Sequence, residues 1–188
     1  MNGESNRDVS KPYFSEQSSP EQSPAEQVPD AQPLEMRQRS AYNDCVRLLA
    51  SRDHSVFELT RKLKQRDHAV DAIDGAITEL KELNYVNEAR YAQQYMQQRM
   101  DRGYGPLSVR AKLRERGIDA RLVEQALAEQ QLSSVELAQL ALEKRFDTQL
   151  IQSRASKDEA RVARFLKSRG FASSDALKAL QLSRKNGA

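Results

Sequence analysis

A chain of 188 residues with 38% hydrophobic and 6% aromatic residues and no tryptophan is thin for one compact core, yet adequate for small units stacked side by side. Thirty Lys and Arg against 27 Asp and Glu leave a formal charge of only +3, which excludes a strongly charged scaffold. No apolar run approaches the ~18 residues of a membrane span, no basic-then-apolar leader opens the chain, and the single cysteine, Cys45, excludes an intramolecular disulfide and suits a reducing cytoplasm. Residues 1–36 read as an acidic, Pro/Ser/Gln-rich disordered tail, with five of the six prolines by position 33. Residues 1–33 hold six acidic and two basic side chains, so the rest of the chain carries a net +7.

From Ser40 onward the pattern is helical, with no sustained period-2 alternation and no Asn-Gly or Asp-Gly hairpin signal. One apolar stripe is predicted for Ala41, Cys45, Leu48 and Leu49, a second for Val70, Ile73, Ile77 and Leu80. Tyr91, Tyr95 and Met96 form a third, and Leu137, Leu140 and Ala141 a fourth. Ser55 with Glu58, Ser133 with Glu136 and Ser156 with Glu159 have the spacing of capping boxes. Asp119 suits an N-cap, Pro106 a first helical position, and Gly117 and Gly170 the left-handed turn that ends a helix.

Three segments align. Leu63, Leu113 and Leu166 coincide, preceded four residues earlier by Leu59, Val109 and Val162. Ten residues later stand Ile73, Val123 and Ala176, and fourteen later Ile77, Leu127 and Leu180. The pattern predicts an all-α, elongated and curved array of three tandem three-helix, helix-turn-helix-like repeats over residues 37–86, 87–131 and 132–184. Cations recur as well. One residue past the aligned leucine stand Lys64, Arg114 and Lys167; three past it stand Arg66, Arg116 and Arg169. Cations near a helix C-terminus favour its dipole, but three matched pairs point to a basic ridge, with Arg102, Tyr104 and Arg110 near its middle corner.

Catalytic chemistry finds little footing. His54, His68 and Cys45 match no closed zinc spacing, so no metal is expected. Cys45 lies on an apolar stripe and reads as a small hydrophobe; His54 reads as a turn or surface residue, and His68 as partly buried. Gly103-Tyr-Gly105 lacks the remainder of a phosphate loop, and no paired acid/base site stands out, so neither cofactor nor enzyme activity is expected. Asp71, Asp74, Glu79, Glu124 and Glu129 on the would-be recognition helices argue against reading a DNA sequence. Backbone contact by the ridge remains open, as does a base-stacking role for Tyr85, Tyr91, Tyr95 and Tyr104, although helical spacing assigns Tyr91 and Tyr95 to the core.

Four runs carry a family likeness: Arg52 to Ser55 with Glu58, Leu59, Lys62 and Leu63; Leu83 to Ala92; Arg99 to Pro106 with Leu113 and Arg116 to Ile118; and Phe165 to Phe171. Over residues 40–182 the chain resembles the RecX family of RecA regulators. The resemblance implies a cytoplasmic, monomeric, non-catalytic protein that binds RecA and its filament on single-stranded DNA. It further implies inhibition of RecA's ATPase, strand-exchange and coprotease activities, and so modulation of DNA repair, recombination and the SOS response. A stand-alone module for single-stranded nucleic acid is the alternative. Two departures stand out: Asn87-Glu88 where an acidic pair is usual, and His68 in place of Gly at the first turn.

Overall fold

The computed structural model describes residues 33–186, so the tail predicted for residues 1–36 lies almost wholly outside the described residues. Among those described there is no strand. Within them ten helices follow one another: α1 (Leu34–Leu49), α2 (Val56–Lys64), α3 (Val70–Glu82), α4 (Glu88–Asp101), α5 (Pro106–Glu115), α6 (Ala120–Ala128), α7 (Ser134–Arg145), α8 (Thr148–Gln152), α9 (Ser156–Arg169) and α10 (Ser173–Asn186). The main packing partners are α1 with α3, α4 with α6, and α7 with α10. Each unit therefore closes its first helix on its last. The third unit adds the five-residue α8, and α9 begins ten residues before its aligned leucine where α2 and α5 begin seven before theirs.

The aligned apolar positions are the core. Leu59, Leu63, Val109, Leu113, Val162 and Leu166 are all essentially inaccessible to solvent. Burying each leucine contributes roughly 1.5–3 kcal/mol. Two predicted stripe residues miss the core: Val70 is 56% and Leu140 41% exposed, because each lies at the edge of its stripe and turns outward. Cys45 is buried as expected, and burial, with Asp44 beside it, pushes its thiol up to about 11. Such a thiol is protonated at neutral pH and inert.

The helix starts mostly follow their sequence signals. Ser133 and Glu136 form a full capping box. Ser55 accepts from the Glu58 amide, but the Glu58 carboxylate turns away to other partners. Asp119 caps α6 through the Arg121 amide, and Pro106 opens α5. Asn87 caps α4 by accepting from the Arg90 amide, which gives that departure from the family pattern a structural role. The box predicted at Ser156 and Glu159 is absent. Ser156 is already helical; Ser153 instead accepts from the Ala155 amide and donates to Asp158, while Glu159 pairs with Arg184 at 2.8 Å.

The turn after the aligned leucine needs a left-handed residue, and Gly117 (φ 73°) and Gly170 (φ 88°) supply it. In the first unit that place belongs to Asp67 (φ 61°), and not to His68 as expected from the sequence. His68 takes the next position, that of Ile118 and Phe171, and is partly buried with Nε2 3.0 Å from Asp44.

Apolar packing is unequal between units. A single cluster runs from Tyr91 and Met96 through Val109, Leu113 and Leu142 to Leu166 and Leu180, fusing the second and third units. The first unit keeps a separate cluster around Cys45, Leu59, Leu63, Ile73 and Leu80.

Candidate functional site

The repeated cations separate into two sets with different surroundings. Lys64, Arg114 and Lys167 are exposed at the C-terminal ends of α2, α5 and α9, and none has an ion pair among the described residues. Arg66, Arg116 and Arg169, two residues further on, are all engaged within the chain. Arg66 pairs with Asp44 at 3.1 Å. Arg116 lies 3.4 Å from Glu58, 4.6 Å over the Tyr95 ring, and donates to the Lys112 carbonyl. Arg169 lies 4.6 Å over Tyr104, whose ring also carries Arg99 at 3.6 Å.

The contacts of Arg116 and Arg169 recur because the joints between units recur, whereas Arg66 pairs within its own unit. The turn of each unit docks on the start of the preceding unit's second helix. At the first joint the Ser55 hydroxyl donates to the Arg116 carbonyl at 2.8 Å, and a Cβ built on Gly117 would lie 2.8 Å from the Phe57 Cβ. At the second, the Gly105 amide donates to the Arg169 carbonyl at 2.9 Å and the Leu107 amide to Gly170 at 3.0 Å. Ser55 and Gly105 occupy the same repeat position, as do Arg116 and Arg169. The recurrence of the second arginine is thus a packing requirement: Arg116 reaches back to Glu58, and Arg169 to Tyr104.

The first joint is polar. Glu58, 7% exposed, accepts hydrogen bonds from Arg52 at 3.1 Å and the Tyr91 hydroxyl at 3.3 Å, with His54 Nδ1 at 3.3 Å and Arg116 Nε at 3.4 Å within ion-pair distance. Burial alone would raise the Glu58 carboxyl, but the Arg52 hydrogen bond and charge, then His54 and Arg116, hold it below the usual carboxylate range. Burial pushes His54 down, with Arg52 adding to the effect. His54 is therefore a buried residue, only 3% exposed, and the surface role read from the sequence is corrected. Its enclosure comes from the joint, which its neighbours in sequence do not show. A cleft of about 250 Å³ opens beside this cluster, lined by Arg52, Asp53, Tyr91, Gln94, Tyr95, Gln98 and Arg116.

The remaining predicted site residues divide in the same way. Arg102 is exposed without an ion pair among the described residues, whereas Arg110 is locked in a two-pronged pair with Glu124 at 2.7 and 2.8 Å. Of the tyrosines, Tyr91 is buried and Tyr95 partly buried, as expected, and Tyr85 is 58% exposed. Among the described residues no group of three His, Cys, Asp or Glu is placed to hold a metal ion, and no helix is long and apolar enough to cross a membrane.

The three-helix units match two family models. Residues 41–80 match the first three-helix domain of RecX and residues 87–127 the second. The regulatory protein RecX of Vibrio parahaemolyticus is 34% identical over 132 residues, covering 70% of this chain and 84% of that relative. The chain belongs to the RecX family. A Chromohalobacter salexigens regulatory protein RecX is 38% identical over 129 residues, covering 69% of this chain and 83% of its own length. The crystal structure of RecX from Lactobacillus salivarius superposes with a TM-score of 0.69 over 79% of this chain and 97% of its own, at 22% identity, a likeness of fold. Both RecX models fall on first and second units that meet through Glu58 and Arg116.

Proposed function

We propose that this RecX protein binds the RecA filament on single-stranded DNA through the exposed cations of its second helices, and thereby restrains the filament's ATPase, strand-exchange and coprotease activities. Membership of a regulatory family supports the assignment. The carrying observation is the set Lys64, Arg114 and Lys167: equivalent positions in successive units, exposed, and without ion pairs among the described residues. A side chain with no internal task, repeated once per unit, suits a partner that is itself repetitive and anionic. Arg102 extends the same exposed set, while Arg66, Arg110, Arg116, Tyr104 and Arg169 act through the geometry of the units and their joints.

Added below the concentration of RecA, the purified chain should depress single-strand-dependent ATP hydrolysis. Unchanged hydrolysis at equimolar protein would remove the basis for this function.

A further inference from the structure

The second helix of the first unit carries one feature that the others lack. Phe57 is 48% exposed, and the equivalent positions in α5 and α9 hold Leu107 and Ala160. Its stem lies against the turn of the second unit at Gly117. Arg61 and Lys64 follow at i+4 and i+7, on the same face of α2. A rise of ~1.5 Å per residue sets them roughly 6 and 10 Å along the helix from Phe57. Both are exposed and without ion pairs among the described residues. Phe57, Thr60, Arg61, Lys64 and Gln65 line a shallow cleft of about 410 Å³ that contains no carboxylate.

A solitary exposed phenylalanine is commonplace, but an exposed aromatic face followed by two cations without ion pairs on one helix face has the chemistry of a single-strand platform: a ring for a base and cations for its phosphates. We infer that α2 holds one segment of single-stranded nucleic acid, with a base stacked on Phe57 and neighbouring phosphates on Arg61 and Lys64. An acidic protein partner could cover both ring and cations; a strand is favoured because every nucleotide brings a π-face and an anion together. The inference deepens the reading of the second-helix cations, on which it rests, by assigning the strand to the first unit.

Because the chain has no tryptophan, Phe57→Trp gives the full-length protein a single reporter at the proposed contact. Oligothymidylate alone, without RecA, should quench that fluorescence. Phe57→Leu, which copies Leu107 and preserves the contact with the Gly117 turn, should weaken oligothymidylate binding, and Phe57→Ala should weaken it by roughly 5- to 100-fold. Arg61→Gln with Lys64→Gln should reduce the slope of log affinity against log salt by about 1.4. The inference is overturned if wild-type protein fails to bind oligothymidylate. It is equally overturned if Phe57→Leu and Phe57→Ala bind the strand as wild type does while the reporter in Phe57→Trp is not quenched. Normal strand binding by Phe57→Leu with loss of RecA alone also overturns it, since Phe57 would then be a protein contact. Failure of the filament reading appears separately, as strand binding that persists while RecA's ATPase is untouched.

Discussion

Gly170→Ala should unseat the third unit from the second and lower the stability of the whole protein by about 2–4 kcal/mol. Two costs combine. A residue with a Cβ held at φ 88° pays about 1 kcal/mol or more for the left-handed conformation. The new methyl would also lie 2.4 Å from the backbone nitrogen of Ser108, a position that cannot swing aside as a side-chain tip could. Overpacking of this kind typically costs ~1–3 kcal/mol. The Leu107 amide, which donates to the Gly170 carbonyl at 3.0 Å, would be pushed off its acceptor in the same movement. Urea denaturation followed by far-ultraviolet circular dichroism measures the loss. Asp67→Gly at the equivalent turn is the control: Asp67 is exposed with no unit docked on it among the described residues, so relief of strain there is offset by added unfolded-state entropy and little should change. An unchanged midpoint for Gly170→Ala would mean that the joint is looser than its hydrogen bonds imply.

The second large effect is expected at Glu58. Its replacement by alanine removes the carboxylate shared by Arg52, Arg116 and the Tyr91 hydroxyl, leaving the two cations only their bonds to the Asp53 and Lys112 carbonyls. Removing one partner from a fully buried ion pair costs ~3–5 kcal/mol. The Arg52 and Arg116 side chains are 53% and 29% exposed, so solvent reduces this to about 2–3 kcal/mol. The loss should concentrate on the junction of the first and second units, because their apolar clusters are separate and Glu58 is the buried member of the ion pairs that cross it, the Arg90–Asp53 pair at 3.6 Å being more exposed.

Acid probes the same cluster. His54 is depressed in the fold, so its stabilisation is present above its ordinary value near 6.5 and declines as pH falls below that. Glu58 is likewise depressed, and its contribution is present above ~4.5 and lost as pH falls through its lower folded value. Wild-type stability should therefore fall in two stages on acidification. Glu58→Ala should deepen the first stage, because the Glu58 carboxylate raises His54 in the wild type, and lose the part of the second that Glu58 supplies. Identical acid profiles for the two proteins would show that the joint is not held by this carboxylate.

Much of the fold was legible because periodicity reports burial directly. Leu63, Leu113 and Leu166 were aligned by sequence alone and are buried in full. Gly117 and Gly170 announced their turns because only glycine adopts that backbone freely. Val70 and Leu140 were misplaced since the edge of a stripe has no sharp hydropathic boundary. The site was legible in part. The recurrence of cations was visible, but their division was not: Arg116 finds its partner Glu58 in the preceding unit, and no local pattern encodes that pairing. Glu58 itself was hidden behind its resemblance to a capping residue. Recurrence at Arg66, Arg116 and Arg169 reports how units are built and attached, and recurrence at Lys64, Arg114 and Lys167, exposed and without ion pairs among the described residues, is what we propose a partner uses.

Co-sedimentation with RecA filaments on single-stranded DNA, comparing wild type with the triple variant Lys64→Glu, Arg114→Glu and Lys167→Glu, tests the central claim most directly. All three side chains are exposed but lie in the last turn of a helix, so each reversal should cost ~0.3–1 kcal/mol through the helix dipole. Binding should fall at least tenfold, by the order-of-magnitude effect of losing three phosphate or carboxylate contacts, with the native helicity kept at the temperature of the assay. Wild-type binding by the folded triple variant would contradict the account.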